Sequence, residues 1–177
     1  MKKLLTGVLA SGLLVVALAG PANAHSHCKI VGTDGDDVMI GTSKGESICG
    51  LGGNDIIRGG GGDDRIWGGS GKDRIFGGPG DDRIRGGYGE DRLLGGPGSD
   101  FLKGEDGRDK HFGGSGDDLI AAADGRLNRR RNGWPDLLDG GPGFDTGFIN
   151  TPGDKSKNIK SIEDVQGGGP PGVPDPK

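Results

Sequence analysis

An acidic side chain recurs every nine residues along most of the chain: Asp37, Glu46, Asp55, Asp64, Asp73, Asp82, Asp91, Asp100, Asp109 and Asp118, with Asp136 in the same phase. Carboxylates at a strict interval invite three chemistries: acid–base catalysis, glycoside cleavage and the binding of hard cations. Recurrence separates them. A catalytic pair occurs once, whereas a ligand set can be copied along a stack. Adjacent acids such as Asp63-Asp64, Asp81-Asp82 and Asp117-Asp118 imitate a glycosidase pair, yet they return in step with the same interval, which favours ligation in turns. The chain has no GxSxG and no HExxH, and Gly71-Lys72 is followed by Asp73 where a phosphate-binding loop needs Ser or Thr. The sequence is expected to encode no enzyme.

The acids sit inside a longer pattern. From Gly32, thirteen blocks of nine align without a gap through residue 148. Good copies read GGGGDDRIW, GGSGKDRIF, GGPGDDRIR and GGYGEDRLL, so the consensus is Gly-Gly-x-Gly-x-Asp-x-apolar-x. Seven strict copies of its GGxGxD part begin at Gly59, Gly68, Gly77, Gly86, Gly95, Gly113 and Gly140. This nonapeptide resembles the RTX, or haemolysin-type, calcium-binding repeat. The resemblance implies calcium as the ligand. It covers the repeats alone, so the toxin, protease or lipase activities that accompany such repeats elsewhere do not carry over.

The elements follow from the block. Positions one to six, rich in glycine and acid, predict a tight turn, and positions seven to nine a three-residue strand. Position eight is apolar (Met39, Ile48, Ile57, Ile66, Ile75, Ile84, Leu93, Leu102, Ile120, Leu138) and should face inward, since strand side chains alternate. Two blocks make one full coil of about 18 residues. The expected fold is all-β: a parallel β-roll, a right-handed β-solenoid, with end caps. His111 replaces an inward apolar residue and reads as a repeat defect rather than a ligand.

Stacking blocks n and n+2 puts position six into two columns: Asp37, Asp55, Asp73, Asp91 and Asp109 on one edge, and Glu46, Asp64, Asp82, Asp100, Asp118 and Asp136 on the other. Such columns repel until a cation lies between the rungs. Calcium accepts six to eight oxygens in flexible geometry, magnesium demands a strict octahedron, and zinc wants the His and Cys clusters the repeats lack. The expected ligands are the Asp side chains at 37, 55, 64, 73, 82, 91, 100, 109 and 118, with turn backbone from Gly53, Gly62, Gly71, Gly80, Gly89, Gly98, Gly107 and Gly116. Pairing good turns gives about seven Ca²⁺ ions, between blocks beginning 32/50, 50/68, 68/86 and 86/104 and between 59/77, 77/95 and 95/113. One inward side chain per nine ordered residues offsets little of the chain entropy, so folding is expected to await calcium.

Composition agrees. Glycine supplies 42 of 177 residues, and apolar types only 30%. Residues 1–24 read as a secretory signal: Lys2 and Lys3, an apolar run, then Ala22-Asn23-Ala24. Cleavage would take the net charge from −4 to −6, too acidic for a nucleic-acid binder, and would expose His25-Ser26-His27, a potential Cu(II) or Ni(II) motif. The expected chain is extracellular, with no integral membrane span. Cys28 and Cys49 read as a disulfide or as two free thiols. Residues 25–31 would form an N-terminal cap, 32–148 the roll with a degenerate stretch at 122–139, 149–165 a C-terminal cap, and 166–177 a disordered Gly/Pro tail. Outward columns, one basic (Arg65, Arg83, Arg85, Lys103) and one apolar (Ile40, Phe76, Leu94, Phe112), are candidate surfaces for a cell-wall polymer or for self-association. Cell-surface or matrix adhesion is the alternative function, and a carbohydrate-active solenoid enzyme a remoter one.

Overall fold

The computed structural model describes residues 27–122, 136–149, 155–159 and 161–164. The expected signal segment, the expected Gly/Pro tail and the basic stretch Arg126–Arg131 lie outside them. In chain order the strands are β1 (Ile30–Val31), β2 (Val38–Ile40), β3 (Ser47–Gly52), β4 (Ile56–Arg58), β5 (Arg65–Ser70), β6 (Arg74–Phe76), β7 (Arg83–Tyr88) and β8 (Arg92–Pro97). They continue as β9 (Phe101–Asp106), β10 (Lys110–Ser115), β11 (Leu119–Ala122), β12 (Leu137–Asp139), β13 (Thr146–Ile149), β14 (Lys155–Lys157) and β15 (Ser161–Asp164). Odd strands form an eight-stranded sheet and even strands a seven-stranded one, in sequence order within each. Every pairing is parallel, and the usual register step is 18 residues, as in Ile48↔Ile66 and Ile57↔Ile75. This is the expected all-β solenoid.

Position eight builds the core. Ile48, Ile66, Ile84, Leu102 and Ile120 stack in one sheet, facing Met39, Ile57, Ile75, Leu93 and Leu138 in the other. His111 stands in the second column between Leu93 and Leu138. In the first column the position after Ile120 is Gly147, where a Cβ would lie 3.1 Å from Ile159; that side chain packs on the core where the repeat supplies no apolar residue.

Two expectations need correction. Six strands run six residues, not three, because they continue through positions one to three of the following block. The position-one glycine keeps the alternation, facing inward and buried, so the turn proper is shorter than six residues. Secondly, Asp136 belongs to the other edge. The β10–β12 and β11–β13 registers step by 27 residues, Lys110↔Leu137 and Leu119↔Thr146. One nine-residue block is thus passed over, and every later block changes edge.

Cys28 and Cys49 form a disulfide with Cα atoms 6.0 Å apart, tying the entry segment to β3. The apolar outward column is half-covered from within: Arg58 lies over Phe76 at 5.5 Å and Arg92 over Phe112 at 4.6 Å. In the basic column Glu105 sits 3.5 Å from Lys103 and 3.9 Å from Arg85.

Candidate metal centre: two columns of inward carboxylates

From Asp55 onward each position-six aspartate is clamped by one oxygen. The backbone N–H of the corresponding residue one coil earlier donates to its Oδ1. On one edge the bonds run Asp37 to Asp55 (2.9 Å), Asp55 to Asp73 (2.8 Å), Asp73 to Asp91 (2.9 Å), Asp91 to Asp109 (2.9 Å) and Asp109 to Asp136 (2.8 Å). On the other they run Glu46 to Asp64 (2.7 Å), Asp64 to Asp82 (2.8 Å), Asp82 to Asp100 (2.8 Å), Asp100 to Asp118 (2.9 Å) and Asp118 to Asp145 (3.0 Å). A bracket of opposite sense runs outside: position-five amides donate to the position-five side chain one coil earlier, as Lys72 does to Asn54 (2.9 Å) and Ser99 to Asp81 (2.9 Å).

The second oxygen is left over. Oδ2 of Asp55, Asp64, Asp73, Asp82, Asp91, Asp100, Asp118 and Asp145 is buried and has no hydrogen-bond partner. A buried carboxylate oxygen without a donor is costly, and native folds rarely repeat such a cost. Each of these oxygens looks into a small space kept open by the position-one glycine of its own block. A Cβ on Gly50 would collide with both Asp55 Oδ2 and the Gly68 carbonyl oxygen. The same pairing of an Oδ2 with the next coil's carbonyl recurs at Gly59, Gly68, Gly77, Gly86, Gly95 and Gly113. Among the described residues no three His, Cys, Asp or Glu side chains converge, so the donor set is one carboxylate per rung surrounded by backbone oxygen. That is hard-cation chemistry and fits calcium better than a thiolate- or imidazole-seeking metal.

Burial is the main electrostatic consequence. It pushes the carboxyl of Asp91 up to about 8, those of Asp82 and Asp118 to about 7, and those of Asp55 and Asp100 to about 6. The clamping N–H opposes this in every case, and neighbouring carboxylates on the column add to it.

The expected site residues separate into groups. Asp55, Asp64, Asp73, Asp82, Asp91, Asp100, Asp109 and Asp118 all lie in the two columns. Asp37 heads its column but differs: its Oδ2 accepts from the Thr33 N–H (2.6 Å) and the Thr33 hydroxyl (2.9 Å). Glu46 is held likewise by Thr42, whose hydroxyl and then whose backbone amide lower its carboxyl below the ordinary value. The expected backbone positions Gly53, Gly62, Gly71, Gly80, Gly89, Gly98, Gly107 and Gly116 all have positive φ, between +82° and +146°. Their carbonyls face the next coil; a Cβ on Gly71, for instance, would strike the Gly53 oxygen. Sequence reasoning missed the position-one glycines, Asp145 and the threonine clamps. The last had a signal, Thr at position two only in the first two blocks.

No curated protein matches the chain. Residues 29–43, 50–84 and 85–120 match the model of the RTX calcium-binding nonapeptide repeat, in four copies. The interval of the acids, the two-block coil and this match agree, and over these residues the chain belongs to the RTX calcium-binding nonapeptide repeat family.

Proposed function

We propose that the protein is an exported structural module whose roll forms when calcium fills the spaces between rungs. The observation that carries this reading is the double column of buried Oδ2 atoms without donors, seven of them beside a carbonyl of the following coil. Seven spaces combine both features, those at Gly50, Gly68, Gly86, Gly59, Gly77, Gly95 and Gly113. The number equals the one expected from sequence, but the membership changes. Between the blocks at 32 and 50 Thr33 already gives donors to Asp37 Oδ2, which takes that pair out of the set, and the edge change adds the pair at 113 and 140.

Bound calcium would supply positive charge and open coordination positions to these oxygens. The chain's own part is geometric: Oδ1 is pinned, Oδ2 is aimed inward, and glycine keeps the space clear. Without a cation the fold carries buried charge in columns and a core of one apolar side chain per block, which supports coupling of folding to binding. An extracellular setting, where calcium is plentiful, suits such coupling, as does the Cys28–Cys49 bridge. No helix among the described residues is long and apolar enough to cross a membrane.

The test is calorimetric titration of the full chain with calcium, with far-ultraviolet dichroism followed in parallel. The expected result is uptake of about seven ions per chain together with a rise in β signal. A chelated chain whose spectrum already equals that of the loaded form would sink the coupling.

A further inference from the structure

We propose that the outer face of the even-strand sheet is a docking surface for an acidic polysaccharide, a chain of uronate rings laid along the roll axis across β4, β6, β8 and β10. Only the calcium dependence of this docking rests on the function proposed above.

Position seven of the even strands stacks Arg74, Arg92 and Lys110 in direct register, one strand apart. All three are exposed, as is Arg58 on β4. None of β4, β6, β8 and β10 carries an acid. Among the described residues none of these four cations makes an ion pair, and Glu90, in an adjoining turn, is held by Lys72 at 2.8 Å. Like charges at the strand spacing of roughly 4.8 Å repel. On the odd sheet Glu105 relieves such a stack by meeting both Arg85 and Lys103. The even sheet repeats the repulsion with no relief of its own, which points to an anion supplied from outside.

Beside the cations runs position nine, with Phe76, Leu94 and Phe112 half-buried and in register. Arg58 and Arg92 lie over the Phe76 and Phe112 rings, 5.5 and 4.6 Å from the centroids. A guanidinium held over a ring is pre-organised, and its N–H fork matches a carboxylate. A uronate ring has both complementary parts, an apolar C–H face for the half-buried strip and a carboxylate for the cations. Its length along an extended chain is close to the spacing of the strands, so successive rings can meet successive rungs. The strip does not protrude, which fits a sugar chain better than a bilayer, into which a binding face must sink its apolar side chains. A peptide adding as a strand would need an open edge, and β4, β6, β8 and β10 are paired on both sides. Calcium in the inward columns would also outweigh the chain's net charge of −4, so docking is expected with calcium and not without it.

The experiment uses the full chain in saturating calcium and titrates it calorimetrically with short oligogalacturonate. The fully methyl-esterified oligomer and phosphatidylglycerol vesicles serve as comparisons. The wild type should bind the acidic oligomer about tenfold or more tighter than the neutral ester. The oligomer should shield Lys110 from acetylation and leave the exposed Lys44 reactive. Arg74→Gln, Arg92→Gln and Lys110→Gln combined should weaken binding by about tenfold or more, with calcium uptake and dichroism unchanged. Arg65→Gln and Arg83→Gln combined, on the odd sheet, should leave it within about twofold. Unchanged binding by the triple variant, as Arg129–Arg131 would give, overturns the proposal, and so does equal loss in both combined variants. Equal affinity for acid and ester, binding to the vesicles alone, or no binding does the same. Should the triple variant not fold, the wild type decides: a Lys110 that reacts as fast with the oligomer as without it overturns the docking face. Calcium uptake in the same samples reports on the general reading by itself. Oligomer bound through Lys110 by a chain that takes up no calcium would leave the face standing and overturn its calcium dependence alone.

Discussion

A position-six aspartate divides its labour between two oxygens, and the division can be tested by removing charge while keeping shape. Asp82→Asn keeps an oxygen to accept from the Asp64 N–H, but loses the charge aimed at the space beside Gly77. Calcium affinity at that rung should fall at least tenfold, read as one fewer tight ion by calorimetry. Asp37→Asn should leave the number of tight ions unchanged, because Thr33 already occupies Asp37 Oδ2. Acidity supplies a second test. The carboxyls of Asp55, Asp82, Asp91, Asp100 and Asp118 titrate higher in the roll than their ordinary value near 3.8. The folded form therefore binds protons more tightly than the unfolded one. In chelator, their contribution is fully present below about pH 4 and is lost as pH rises through about 6 to 8. The chelated chain should gain β signal as pH falls from about 8 to about 5; a flat profile would count against the buried columns. In saturating calcium the sign reverses, since protons compete with the ion for the same oxygens.

At the scale of the element, much was legible. The nine-residue interval announces a turn and a strand, and position eight announces the inward ladder. What could not be read was where the strand stops. Glycine is a poor strand former in general, yet positions one to three pair as strand in β5 and β7 because parallel neighbours on both sides accept their backbone groups. Position two then turns left-handed, and here two blocks carry a conformational cost. Leu51 (φ 82°) and Glu105 (φ 74°) stand where Gly69 (φ 118°) and Gly87 (φ 120°) stand in adjacent coils. An L-residue in that region costs roughly 1–2 kcal/mol. Leu51→Gly should therefore raise thermal stability in saturating calcium, by about 1 kcal/mol once the lost side-chain contact is allowed for. Gly69→Ala should do the opposite by a larger amount, since its Cβ would strike the Leu51 carbonyl oxygen. Glu105 is a less clean test, because its carboxylate also meets Lys103 and Arg85.

The molecule as a whole behaves as a one-dimensional stack, in which each rung touches only its neighbours. The passed-over block shows how such a stack tolerates change. Because both edges carry the same motif, a coil of three blocks instead of two moves Asp136 beneath Asp109 and Asp145 beneath Asp118, and the columns continue unbroken. Edge membership therefore depends on how many blocks a coil uses, and a nine-residue phase that runs on unbroken through 122–139 conceals the change. The same logic predicts the effect of shortening. Removing Gly68–Arg85 deletes one full coil and brings the turn at Gly50 onto that at Gly86 and the turn at Gly59 onto that at Gly95, with Ile66 meeting Leu102 in the ladder. The shortened chain should fold cooperatively in calcium and bind about two fewer ions, one from each column. Removing a stretch that is no multiple of nine, such as Gly68–Lys72, should abolish the cooperative transition, because a carboxylate would then stack on a strand residue. Dichroism melts and calcium calorimetry on the two deletions decide the matter: if the five-residue deletion folded as well as the full-coil one, the register of the columns would not be what holds the rungs together.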